Sequence, residues 1–145
     1  MDKLLLREFK QVRCLLVRLD HGADIMEQIS SLLDKEEIKS AVFCAIGALM
    51  NADLAFYSQT SQEYKKIEIN EPVELVSCTG NVSLRDDKPF AHAHAALGYK
   101  DGTVVGGHLL GGKVFAAEVF LQELLGEPLI RKHDPVTGLY LWSEL

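Results

Sequence analysis

Apolar and polar residues alternate with a period of two over most of this chain, and a single stretch follows the helical period instead. Leu4 to Leu19 reads as one or two strands, the stronger running from Gln11 to Leu19. Asp20-His21-Gly22 then breaks the pattern, which leaves His21 as a surface or capping residue. Ala23 to Glu37 predicts a helix. Ile25, Met26, Ile29, Leu32 and Leu33 recur at helical spacing, and Glu27, Gln28, Asp34 and Lys35 take the opposite side. Asp20 or Asp24 can cap its start. Ser40 to Leu49 is nearly all apolar and predicts a strand buried on both faces. Gly47-Ala48 within it marks a bulge or a close approach of another backbone. Asn51 to Ser58 is a further strand, Gln59 to Glu63 a turn, and Tyr64 to Ile69 an exposed edge or hairpin strand.

After the turn Asn70-Glu71-Pro72, Val73 to Leu84 predicts a long strand bent at Gly80. Arg85 to Pro89 is a loop, and two strands carrying histidines follow. Gly111-Gly112 predicts a tight turn into Lys113 to Leu124. Val and Phe in that last piece favour a strand, while Ala, Glu and Leu favour a helix. Its place after a hairpin signal decides for a strand. Beyond Gly126 the tail carries Pro128, Pro135 and Gly138, with His133 exposed. One helix and seven or more strands make an α+β chain, a largely antiparallel β-sheet with one main helix packed on it. We expect one domain over residues 1–145, with a core at about 11–124 and a tail at 125–145. So few helices leave apolar sheet face and edges uncovered, and subunit association is a natural way to bury them.

Composition narrows the function. The chain has 145 residues, 48% hydrophobic and 25% charged, enough for one sizeable core. No apolar run approaches the roughly 20 residues that span a bilayer. The first residues, MDKLLLREFKQVR, place charges within a short apolar run, so no signal peptide is expected. Formal net charge is -6. The densest basic groups are only Lys65-Lys66 and Arg131-Lys132, which disfavours DNA binding by the isolated chain. An oligomer could still gather Arg13, Arg18, Lys65, Lys66, Arg85 and Lys88 into a patch. Cys14, Cys44 and Cys78 are odd in number, form no C-x-x-C, and lie in apolar runs. Buried, reduced thiols in a cytoplasmic protein are the expectation.

The chemistry gathers between Phe90 and Glu118. His92 and His94 are two apart, so on a strand both rings leave one face. The turn around Tyr99-Lys100-Asp101-Gly102 decides where His108 goes. A two-residue Asp101-Gly102 loop pairs His108 with Ala95 and points it to the wrong face. A three-residue Lys100-Asp101-Gly102 loop, with Gly102 left-handed, sets His108 opposite His94. A bulge at Gly106-Gly107 could also shift the phase. We expect all three imidazoles on one face. Three imidazoles with one open position form the ligand set of catalytic zinc and also suit copper, iron or nickel. Histidines on a half-buried strand can equally be polar residues at the rim of a core or interface. Glu118 is the nearest downstream carboxylate and the weak candidate for a general base, although a strict Gly111-Gly112 turn points it away from His108. A structural glutamate at a strand end is the plainer reading. No Ser-His-Asp arrangement, P-loop or dinucleotide fingerprint is visible.

Six blocks in order resemble the PPC (plants and prokaryotes conserved) domain family. They are L-D-H-G-A-D at Leu19 to Asp24, A-I-G-A-L at Ala45 to Leu49, E-L-V-S-C-T-G-N-V-S-L at Glu74 to Leu84, P-F-A-H-A-H-A-A-L-G at Pro89 to Gly98, V-G-G-H-L-L-G-G at Val105 to Gly112, and A-E-V-F at Ala117 to Phe120. The resemblance spans about Gln11 to Leu124. It implies a compact α+β fold assembled as a homotrimer. It implies a metal site, zinc first, at His92, His94 and His108. In plants the domain accompanies an R-G-R-P segment that enters the DNA minor groove, and single-domain prokaryotic members carry a DNA-binding label by that kinship. No R-G-R-P occurs in these 145 residues. The resemblance leaves three functions open: a trimeric metal- and partner-binding module, a metal-dependent enzyme acting on a small molecule, or a DNA-associated regulator.

Overall fold

The computed structural model describes residues 4–143. Among these, ten strands and one helix run in the order β1 (Lys10–Arg18), α1 (Ile25–Lys35), β2 (Ala41–Leu49), β3 (Ala52–Ser58), β4 (Glu63–Ile69), β5 (Val73–Arg85), β6 (Lys88–Gly98), β7 (Val104–Gly111), β8 (Val114–Leu125), β9 (Ile130–His133) and β10 (Tyr140–Ser143). Eight strands form one antiparallel path, β1-β8-β2-β5-β6-β7-β3-β4. The α+β class and the antiparallel sheet are as the sequence predicts.

That sheet cannot be flat. β2 and β3 lie four places apart in the order, about 19 Å across a flat sheet at ~4.8 Å per strand. Only Met50 and Asn51 connect them, and three Cα steps span at most about 11 Å. Gly112 and Lys113 impose the same limit between β7 and β8. The sheet therefore curls until these crossings meet. There Met50 N–H donates to the Lys113 carbonyl at 2.7 Å, and Lys113 N–H donates to Asn51 Oδ1 at 2.9 Å.

The helix fills the inside of the curl. Ile25, Ile29 and Leu33 recur every fourth residue and are fully buried, each contributing about 1.5–3 kcal/mol by leaving water. Asp24 fixes its start. Its Oδ1 accepts from Met26 N–H at 2.8 Å and Glu27 N–H at 3.0 Å, while Oδ2 accepts from Gly112 N–H at 2.8 Å. One side chain thus caps the helix and ties it to the β7–β8 crossing. Glu37, in the left-handed region at φ 57, ends it. The helix packs on β6 and β7. There Ala91, Ala93, Ala95 and Leu97 make an inner face of mostly small side chains that lets it come close.

Several expectations need correction. β2 is not buried on both faces. Ala41, Phe43, Ala45 and Leu49 face the core, while Val42, Cys44 and Ile46 face outward. Of the cysteines only Cys78 is buried; Cys14 and Cys44 are exposed, because alternation turns them to the outer face. Pairing runs unbroken through Gly80 on both sides of β5, so no bulge sits there. A Cβ there would meet the Phe43 ring at 2.2 Å, so the glycine makes room for that ring. Gly47 does mark a close approach, 2.2 Å from a would-be Cβ to the Ala116 carbonyl, and a register shift in β2. The loop expected at Arg85 to Pro89 is only a two-residue turn, Asp86-Asp87, both at positive φ. Gly111-Gly112 makes no hairpin, because β7 and β8 do not pair. The segment Lys113 to Leu124 is a strand, as expected.

Asp24→Ala removes the helix cap and the tie to Gly112 together. We expect a loss of about 1–3 kcal/mol in urea unfolding, with the secondary structure of the folded protein retained. A loss below about 0.5 kcal/mol would show that the tie contributes nothing beyond solvent exchange.

Candidate metal centre

The β6–β7 hairpin sets the centre. Tyr99 N–H donates to the Thr103 carbonyl at 2.8 Å, enclosing Lys100-Asp101-Gly102 with Gly102 left-handed at φ 84. Asp101 Oδ1 accepts from Thr103 N–H at 2.9 Å and rigidifies the loop. This is the three-residue geometry, and it pairs His94 with His108. His92, His94 and His108 consequently share the outer face, with α1 on the other side of the same strands.

One nitrogen from each of the three rings lies within 4.8 Å of the others. His92 Nε2 and His94 Nε2 are 3.2 Å apart. Two nitrogens on a tetrahedral zinc, at about 2.0–2.1 Å each, would sit about 3.3 Å apart, so this pair already fits. His108 Nδ1 is buried without a hydrogen-bond partner, an orphan that a metal or a ligand would satisfy. Burial first, then the positive charge of Arg131 and the other two imidazoles, lowers the His92 pKa to about 4. The His108 pKa is also lowered, by burial first and then by His94 and Arg131. Both rings are held neutral, the form that ligates a metal.

Sequence reasoning missed the group that presses on them. β9 and β10 form an antiparallel hairpin, and β9 touches β5 through Leu84 and Ile130. Arg131 anchors the hairpin across the outer face. Its Nε donates to Ser83 Oγ and its Nη2 to Asn81 Oδ1, both at 2.9 Å, and its Nη1 donates to the Tyr140 carbonyl at 3.1 Å. Trp142 Nε1 donates to the same Ser83 Oγ at 3.1 Å. Asn81 pairs with His92 across the β5–β6 ladder, so the tail ends beside the histidines. The signal was present: two four-residue runs, Ile130 to His133 and Tyr140 to Ser143, flank a turn-forming Asp134-Pro135-Val136-Thr137-Gly138. Between the hairpin, Tyr64 of β4 and the histidines lies a cavity of about 300 Å³.

The structure does not bring Glu118 to the histidines. It is exposed on β8, opposite Ile46 and Arg18, three strand positions from β6. His21 is exposed with Nδ1 2.8 Å from the Phe115 carbonyl, and His133 is exposed beside Tyr140.

The profile of the Plants and Prokaryotes Conserved (PCC) domain matches residues 6–125. The chain belongs to this family. It is similar to a solved structure of a metal-containing protein from Archaeoglobus fulgidus, with 46% identity, a TM-score of 0.95, and coverage of 97% of this chain and 100% of that one. A plant- and prokaryote-conserved (PPC) protein from Pyrococcus horikoshii is 42% identical with a TM-score of 0.92, over 98% and 99% of the two chains. A protein from Ralstonia eutropha, whose DNA-binding name is conjectural, is 27% identical with a TM-score of 0.81, over 90% of each chain. No curated protein matches the chain.

The lowered His92 pKa of this PPC-family chain fixes a pH dependence. Between about 4 and the ordinary 6.5, the unfolded chain binds a proton at this ring that the folded metal-free protein refuses. Stability is then present above pH 6.5 and is lost as pH falls toward 4. Urea unfolding of metal-free protein at pH 7 and pH 5 should show a drop that shrinks in His92→Phe. An equal drop in both proteins would contradict this account.

Proposed function

We propose that this chain is a metal-binding PPC-domain protein whose His92, His94 and His108 hold one zinc ion and leave a fourth position open. The observation that carries the reading is the convergence of three imidazoles within 4.8 Å on one sheet face, with a cavity beside them. Kinship to a metal-containing archaeal protein supports it. So does the donor set, since three imidazoles suit zinc better than they suit calcium or magnesium. Residues 1–145 act as one PPC-like unit in this reading. Three unpaired thiols agree with a reducing, cytoplasmic setting.

The same proposal includes self-association as a homotrimer. Leu16, Val42, Ile46, Val76 and Phe120 stand exposed on the outer faces of β1, β2, β5 and β8, with Cys44 among them. A row pairs across four strands, Thr79 with Cys44, Cys44 with Phe120, and Phe120 with Leu16. Ile46 alone is 58% exposed. Apolar surface of this extent on a sheet favours a second copy over water.

The cavity also favours a second reading, a metal-dependent reaction on a small molecule. Bound zinc would supply Lewis acidity or an activated water at the open position. Glu118 stays the weak candidate for general base, since within one chain it stands apart from the cluster. Association with DNA is the weakest reading, because the net charge of -6 opposes a phosphate backbone.

Elemental analysis of untagged protein should find about one zinc per chain, lost in His92→Ala. No metal after incubation with zinc and dialysis would sink the metal reading. Sedimentation should give three times the 16.1 kDa of one chain, and Ile46→Glu should shift it toward the single mass. A wild-type protein that sediments as one chain at micromolar concentration would remove the trimer.

A further inference from the structure

Two guanidinium groups line the cavity that holds His92 and His108, and among the described residues no carboxylate lines it. Arg131 makes no ion pair among the described residues, and its three hydrogen bonds leave two of its five N–H donors free. Arg85 lies over the Tyr140 ring, with Cζ 3.6 Å from the centroid. Its one acidic contact is Asp86 at 3.9 Å, which is 88% exposed and so screened by water. None of its guanidinium N–H groups donates to another described residue. The two cations are close enough to oppose each other: burial first, then Arg85, lowers the pKa of Arg131. A chain with a net charge of -6 has therefore turned two uncompensated positive charges into one cavity, against a metal-ligand set that would add more.

Like charges converge in a half-buried place at a cost, unless an anion joins them. A planar guanidinium matches a carboxylate with two parallel hydrogen bonds. About 300 Å³ is the lower end of small-molecule sites and too small for a macromolecular partner. Phe90, Leu139 and Leu141 add apolar wall, which suits a carbon skeleton better than a hydrated phosphate. We propose that Arg85 and Arg131 hold the carboxylate of a small 2-oxo or 2-hydroxy acid, whose adjacent oxygen turns toward the metal position at His92 and His108. The proposal rests on the metal reading above and supplies the ligand class for the open position. Tyr140 would act through its ring as the platform that orients Arg85.

The test is calorimetric titration of zinc-loaded protein with pyruvate, lactate, propionate and inorganic phosphate, with zinc content measured on the same samples. Pyruvate or lactate should bind saturably, and about tenfold or more tighter than propionate, which lacks the second oxygen. Arg85→Met keeps a stem to pack on Tyr140 and removes the charge. It should weaken binding about tenfold or more while zinc content and melting temperature hold. Arg85→Lys, which keeps charge without the planar fork, should fall between. Full zinc content with no binding of either acid overturns this proposal and leaves the metal reading standing. So does unchanged affinity in Arg85→Met, or phosphate binding as tightly as pyruvate. Failure to load zinc at all overturns both.

Discussion

The antiparallel ladder between β6 and β7 sets where the chemistry of this protein can be. His94 faces His108 across it, and His92 lies two residues before His94 on the same strand. A slip of one residue would send His108 to the core side, where α1 packs. The register is held from both ends of the hairpin. The loop closes through Tyr99, Asp101 and Thr103, and the inner face commits Ala93, Ala95, Leu97 and Leu109 to the core. Burial of that inner face therefore specifies the outer one. The apolar pattern that stabilises the fold also delivers three imidazoles to one place.

Curvature does the rest. Two-residue crossings at Met50-Asn51 and Gly112-Lys113 force the sheet around α1, and Asp24 ties the helix start to one of them. The inner faces then share one core, and the outer faces of β1, β2 and β8 are left without a covering layer. β2 shows the consequence within nine residues, with Phe43 and Ala45 buried beside exposed Val42, Cys44 and Ile46. An apolar run that reads as a strand covered on both sides is, in one chain, covered on one. The second cover is what self-association would supply.

Much of this was legible in the sequence because it is local. Ile25, Ile29 and Leu33 announce the helix by spacing, and Asp101-Gly102 announces a turn, though not whether two or three residues form it. His92 and His94 declare a shared face through the period of two. Non-local pairing was not legible. Nothing near Gly111-Gly112 says that β7 and β8 are joined without pairing, so the hairpin expected there does not exist. The same limit hid the partner of Arg131, because Asn81 and Ser83 lie about fifty residues away in the chain. Burial of the cysteines was misjudged for a related reason. An apolar neighbourhood in sequence includes both faces of a strand, and Cys14 and Cys44 sit on the outward one.

The C-terminal hairpin is where the local and non-local parts meet. Its own strands are four residues each, too short to persist alone. Arg131 and Trp142 fasten it to Ser83 and Asn81, on the strand paired with β6. In doing so it carries a cation to the edge of the histidine cluster and closes a cavity over it. The fastening uses all three nitrogens of the guanidinium, so its positive charge comes with it. The guanidinium costs proton affinity at both rings, and Arg85 adds like charge nearby. Positive charge gathered there, with no carboxylate among the described residues lining the cavity, is what the proposed anion would meet.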